Sequence, residues 1–180
     1  ETQRCSHVVQ ELLDYARTDK CSGEICDLNQ MARELIETFI KCRLKRYRIE
    51  IVLELCQEPL LAEGGCGQLD IVLGNLLVNA IDALDKIPSP RIVVRTWMED
   101  TYAALSIADN GPGVPLDIRN RLFDPFFSTK EVGQGSGLGL SISQAIVTKR
   151  GGFIAYDAEH GEGACFVVRI PAVDLERAQS

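Results

Sequence analysis

Apolar side chains at positions 5, 8, 9, 12, 13 and 16 form one helical stripe along residues 4–17 (RCSHVVQELLDYAR). The polar stretch TDKCSGE interrupts it, which predicts a boundary near 18–27. Asp27 is suited to cap a second helix with the stripe Leu28, Met31, Ala32, Leu35, Ile36 and Phe39. RIEIVLEL then alternates as a strand, with Ile49, Ile51, Leu53 and Leu55 on one face. Pro59, Gly64 and Gly65 mark 57–66 as a loop. A long apolar helix is predicted over roughly 67–86, followed by the strands RIVVRTW (91–97) and AALSIAD (103–109). Residues 110–136 are rich in Gly and Pro, with a short helix near 115–122. Gly137–Lys149 reads as a helix that Gly151-Gly152 ends, and FIAYDAE and ACFVVRI supply two last strands.

Alternating helix and strand patterns over 180 residues predict one α/β domain with a helical appendage. No apolar run approaches the ~18 residues of a membrane span. A net charge of −7 argues against a protein that coats nucleic acid. It does not exclude a nucleotide, because backbone amides hold phosphates without net positive charge. Seven cysteines, with no C-x-x-C pair, and only two histidines, His7 and His160, lack the clustered, closely spaced ligands of a zinc site, so none is expected. Scattered free thiols in a reducing compartment are the expectation. Residue 1 falls within a helical pattern and is not Met, which predicts a fragment of a longer chain.

Four segments carry candidate chemistry. On the helix LDIVLGNLLVNAIDAL, Asn75, Asn79 and Asp82 fall within an arc of about 60°. Asn is a poor helix former, and amide oxygens with a carboxylate suit a hard cation such as Mg²⁺, although a solvated helix face has the same look. Asp109-Asn110-Gly111-Pro112-Gly113 ends a strand; beyond a plain turn, it presents a carboxylate able to accept from an exocyclic amine such as that of adenine. Phe123-Asp124-Pro125-Phe126-Phe127-Ser128-Thr129-Lys130 holds half of the six phenylalanines, an apolar anchor with a terminal cation. Gly133-Gln134-Gly135-Ser136-Gly137-Leu138-Gly139-Leu140 runs directly into a helix, as a phosphate cradle does, and it is neither a Walker loop nor G-x-G-x-x-G.

In this order NLLVNAIDA, DNGPGV, FDPFFSTK and GQGSGLGLSI resemble the N, G1, F and G2 boxes of the GHKL nucleotide-binding fold. The whole resembles the catalytic ATP-binding domain of bacterial sensor histidine kinases, over about 27–171. Residues 1–20 resemble part of the dimerisation helix that precedes this domain, and 172–180 read as a tail. The resemblance implies a two-layer α/β sandwich, its mixed sheet covered on one face by helices, with ATP beneath a mobile lid at about 124–136. It implies Mg²⁺ on Asn79 with Asn75 beside it, and a nucleotide site that includes Asp82, Ala83 and Val114. Asp109 would read adenine above Gly111 and Gly113. Gly135, Ser136, Gly137, Leu138, Gly139 and Leu140 would hold phosphates. Lys130 would reach the γ-phosphate and, with Asn79, act in catalysis.

Three positions depart from the family pattern. Asp82 stands where many relatives carry a basic or aromatic residue, and Ala164 where many have Thr or Ser. Asn75 replaces the water-activating Glu of the gyrase and chaperone branch, which favours a kinase over an ATPase. The family's phosphoacceptor box is absent from this sequence, and the context of His7 does not match it. The implied activity is transfer of the ATP γ-phosphoryl group to a His outside this chain, in a two-component system. The implied partners are ATP/ADP, the phosphoacceptor helix of the same kinase, a response regulator and a second copy in a full-length homodimer, with no nucleic acid. The implied setting is cytoplasmic, the full-length protein having room for an inner-membrane anchor. An anti-sigma-type serine kinase and a non-catalytic scaffold on the same fold are the alternatives.

Overall fold

The computed structural model describes residues 25–39, 48–130 and 135–173. The predicted helix at 4–17, the Phe39 side chain, lid residues 131–134 and residues 174–180 lie outside them. The chain runs β1 (Ile25–Asp27), α1 (Leu28–Phe39), β2 (Glu50–Glu54), β3 (Leu61–Glu63), α2 (Cys66–Ala83), β4 (Arg91–Glu99) and β5 (Tyr102–Asp109). A 3₁₀ turn (Leu116–Arg121), α3 (Gly139–Lys149), β6 (Phe153–Tyr156) and β7 (Cys165–Pro171) complete it.

Five strands form a mixed sheet in the order β2-β4-β5-β7-β6. Among the described residues, only β2 and β4 pair in parallel, with Glu50 opposite Arg91, and α2 supplies the crossover that a parallel pair requires. Alternation along the strands sorts the two faces. Ile92, Val94, Leu105, Ile107, Phe166, Val168 and Ile170 enter the core with α1, α2 and α3. Ala108, Cys165 and Val167 pack on the other face against Val93 and Trp97. The fold is thus the expected sheet with helices on one face.

α2 is the centre of the helical layer. Leu69, Val72, Leu73, Leu76, Leu77, Ala80 and Ile81 are buried, each large side chain contributing about 1.5–3 kcal/mol. α1 begins where expected: Asp27 Oδ1 accepts the Asn29 N–H at 2.9 Å and also the Leu60 N–H at 3.2 Å. Buried Asn29 accepts from Thr96 Oγ1 at 2.5 Å and donates to the carbonyls of Cys56 and Glu58, tying α1 to the sheet.

The structure corrects three expectations. The 57–66 loop contains β3, which pairs antiparallel with β1; strands of three residues are too short to show a period. Leu53 is exposed because β2 is the edge strand. Cysteines expected as free thiols include one disulfide, Cys26–Cys66, because β1 lies beside the start of α2 with the two Cα atoms 5.0 Å apart. Cys56 and Cys165 are free.

The disulfide closes a separation of 40 residues, a constraint on the unfolded chain worth about 2–4 kcal/mol. Cys66→Ser, or reductant on the parent, is expected to lower the unfolding free energy by that amount in urea titrations. Equal stability of the oxidised and reduced chains would contradict it.

Candidate functional site

Three of the four singled-out segments meet along the polar face of α2. Asn75 lies toward the start of α3: its Nδ2 donates to the Gly139 carbonyl at 3.0 Å and to Ser143 Oγ at 3.3 Å. A Cβ on Gly139 would make only ordinary contact with the Asn75 side chain, at 3.5 Å. Asn75 thus holds the two helices together, and an amide has no basic site with which to activate water.

One turn further on, Asn79 and Asp82 converge on a single cation. Lys130 Nζ lies 2.5 Å from Asp82 Oδ2 and 3.4 Å from Asn79 Oδ1. The cation is supplied by the end of the Phe-rich segment, 48 positions away in the chain. Lys130 therefore closes over α2 rather than standing free. Asp82, at odds with the family pattern in sequence, is the ion-pair partner of that lysine.

The loop before α3 packs against the same segment. A Cβ on Gly135 would lie 3.3 Å from Lys130 Cδ. Gly137 has φ +71°, and a Cβ there would meet the backbone of Phe126 at 2.5 Å, so both space and dihedral demand glycine. Buried Ser136 accepts the Leu138 N–H at 3.1 Å, and Leu138, also buried, roots the loop in the core. Leu140 is partly buried against that core. The start of α3 has no side-chain cap, which leaves its first N–H groups without an intrahelical partner.

Asp109 ends β5 and is buried. Its Oδ1 accepts the Gly111 N–H at 2.9 Å and the Ala164 N–H at 3.3 Å, joining the turn after β5 to the turn before β7. Gly111 passes so close that a Cβ would lie 2.8 Å from that oxygen and 3.0 Å from the Ala83 carbonyl. Gly113, at φ +72°, lies against the Gly163 carbonyl. Val114 packs on the core, and its carbonyl accepts from Arg119 Nε at 3.0 Å. Asn110 instead clips the turn to β4, its Oδ1 accepting the Arg91 N–H at 2.7 Å. Burial pushes the Asp109 carboxyl above its ordinary value, while the two amide donors and the charge of His160 act in the opposite sense. The Ala164 contribution was not visible in the sequence, since it comes from a backbone N–H 55 positions away.

The arrangement offers a buried acceptor at one end, oxygen donors gathered on a cation in the middle, and a glycine-lined helix start at the other. Residues 64–174 match the family model described as histidine kinase-, DNA gyrase B-, and HSP90-like ATPase. The chain is 32% identical to the sensor kinase CckA of Brucella abortus over 97% of its own length, and spans about a fifth of that relative. Its fold is similar to the catalytic domain of histidine kinase ThkA, with a TM-score of 0.72 and 30% identity over 82% of this chain and 96% of that one. It is also similar to full-length ShkA in complex with AMPPNP, with a TM-score of 0.75 and 27% identity over 93% of this chain and 35% of that one. ThkA in complex with the response regulator TrrA gives a TM-score of 0.78 and 28% identity, covering 96% of this chain and 48% of that one.

A carboxyl with a raised folded pKa binds more protons folded than unfolded across the window just above its ordinary value. Its contribution is therefore greatest at low pH and is lost as pH rises through the folded pKa. Asp109→Asn keeps an oxygen for both amides and removes this loss. Urea midpoints taken from about pH 4 to 7 are expected to fall less steeply for the variant, with no net destabilisation of the ligand-free chain. Parallel profiles for variant and parent would contradict the assignment.

Proposed function

Because this chain belongs to the histidine kinase-, DNA gyrase B-, and HSP90-like ATPase family, we propose that it is the ATP-binding catalytic domain of a two-component sensor histidine kinase. The observation that carries the reading is the buried Asp109 carboxylate, held by two backbone amides above Gly111. Gly111 lets the backbone pass close beside that carboxylate, which accepts from the exocyclic amine of adenine. The uncapped start of α3, with Gly135 and Gly137, faces the phosphates.

The site fits Mg²⁺ by the chemistry of its donors: the amide oxygen of Asn79 and the carboxylate of Asp82 already share one positive charge, that of Lys130. Asn79 would hold the ion, which neutralises phosphate charge when bound. Lys130 is within reach of the same place and exchanges Asp82 for the γ-phosphate. In the transfer, an imidazole nitrogen bonds to the γ-phosphorus and the bond to the β–γ bridging oxygen breaks. ADP leaves with that electron pair, and the imidazole proton passes to solvent. Residues of this chain position the triphosphate and exclude water, and Asn75 supplies no base for hydrolysis.

In this reading the acceptor His lies outside this chain, on a dimerisation segment upstream of the part that residues 1–20 resemble in sequence, with 27–171 as the catalytic domain. A response regulator then takes the phosphoryl group, as ThkA, solved with a response regulator, also suggests. A homodimer brings acceptor helices and catalytic domains together. Among the described residues no helix is long and apolar enough to cross a membrane. It is the need for ATP that favours a cytoplasmic setting for the domain in this reading.

Two outcomes are expected. Asp109→Asn weakens ADP by roughly 10- to 100-fold in calorimetry, the value of a hydrogen bond to a charged group; unchanged affinity counts against the site. With γ-labelled ATP, the chain alone stays unlabelled, while a longer chain that includes the acceptor helix gains acid-labile label. Label on the short chain that disappears with His7→Gln would overturn the assignment of the acceptor.

A further inference from the structure

The turn between β6 and β7 carries a second polar group on the other face of the sheet. Alternation along β7 sends Phe166 and Val168 under the helices and turns Cys165 outward, beside Ala108, Val93 and Trp97. Asp157, just after β6, donates its N–H to the Cys165 carbonyl at 2.8 Å, which sets the two residues opposite each other. Asp157, His160 and Cys165 each bring one ligand atom to within 4.8 Å of the others. The Cys165 thiol is free and only 4% exposed, whereas His160 is exposed and Asp157 half-buried. Counting Cys and His spacings alone overlooked this D-x₂-H-x₄-C run, because its first ligand is a carboxylate.

We propose that Asp157, His160 and Cys165 form a three-ligand site for zinc. Thiolate, imidazole and carboxylate are zinc's usual donors, and water takes the fourth tetrahedral position. Bonds of about 2.3 Å to sulfur and about 2.0–2.2 Å to nitrogen and oxygen place the ligand atoms about 3.4–3.6 Å apart. The trio therefore closes by about 1 Å on the ion, and His160, exposed and followed by Gly161 at φ +95°, is the ligand free to move. The Asp157 carboxylate is already oriented, its Oδ1 accepting the Glu159 N–H at 3.0 Å. Without metal, burial and then the Asp157 and Asp109 carboxylates push the Cys165 thiol up to about 11, with Arg95 acting the other way. A dication reverses that balance, and the thiol proton leaves to solvent.

The site has a consequence across the sheet. Ala164, next to Cys165, donates its N–H to Asp109 Oδ1, and Gly163 lies directly against the Asp109 carbonyl. Zinc on Cys165 and His160 fastens the segment that supplies this amide and so favours the nucleotide-ready form of Asp109. This consequence rests on the nucleotide reading; binding of the metal does not.

Cobalt(II) titration of the full chain tests the site, since a cysteine ligand gives a thiolate-to-cobalt charge-transfer band. The parent is expected to show a saturable band that zinc displaces. Cys165→Ser should abolish that component, and His160→Ala should weaken it at least ~10-fold. The unfolding midpoint of metal-free His160→Ala should match the parent, which separates loss of a ligand from loss of fold. Spectra and affinities identical in both variants and the parent, or no cobalt bound at micromolar metal, would overturn the site. In calorimetry at fixed Mg²⁺, zinc is expected to tighten ADP several-fold in the parent and not in His160→Ala. Equal ADP affinity of the zinc-loaded and zinc-free parent would overturn the coupling while the cobalt spectrum still decides the site.

Discussion

One carboxylate oxygen ties together the turns at the ends of two neighbouring strands. Asp109 Oδ1 accepts the N–H groups of Gly111 and Ala164, so the turn leaving β5 and the turn entering β7 share a single acceptor. A buried carboxylate is costly unless it is hydrogen-bonded, and these two amides make it tolerable without neutralising it. Its second oxygen takes neither bond and remains an acceptor for a ligand. The glycines around it follow from the same constraint. Gly111, Gly113 and Gly163 crowd the carboxylate and one another so closely that side chains there would displace the turns.

The other end of the site depends on the burial of α2. Its apolar face fixes the helix against the sheet, so Asn75, Asn79 and Asp82 are presented along a rigid element rather than a loop. Asn75 uses that rigidity to hold α3, and Asp82 uses it to hold Lys130. The Lys130–Asp82 pair is partly exposed, and a pair of this kind stabilises by about 1 kcal/mol or less. On the proposed reading, a triphosphate, which carries more negative charge than one carboxylate, would draw the lysine away at small cost. The strength of the site thus lies in its backbone geometry, and its adaptability in one weak ion pair.

Much of this was legible in the sequence because strong periodicity and glycine spacing are local signals. The stripe of α1, the apolar run of α2, the strands β4 and β5 and the entry to α3 all declared themselves. What the sequence could not show was contact at a distance. β1 and β3 are too short to carry a pattern, and Cys26 meets Cys66 only because these strands pair. The partner of Lys130, the amide of Ala164 and the gathering of Asp157, His160 and Cys165 likewise arise from topology. Asp82 shows the difference most clearly. Judged against a family pattern it was a departure, and in the fold it is the anchor for a cation from a distant segment.

The most direct measurement is a crystal structure of this chain with Mg²⁺ and a non-hydrolysable ATP analogue. The account predicts the exocyclic amine of adenine within hydrogen-bond distance of Asp109, the base over Gly111, and Lys130 withdrawn from Asp82 toward the terminal phosphate. A nucleotide bound elsewhere, with Asp109 turned away from it and the Lys130–Asp82 pair intact, would contradict it.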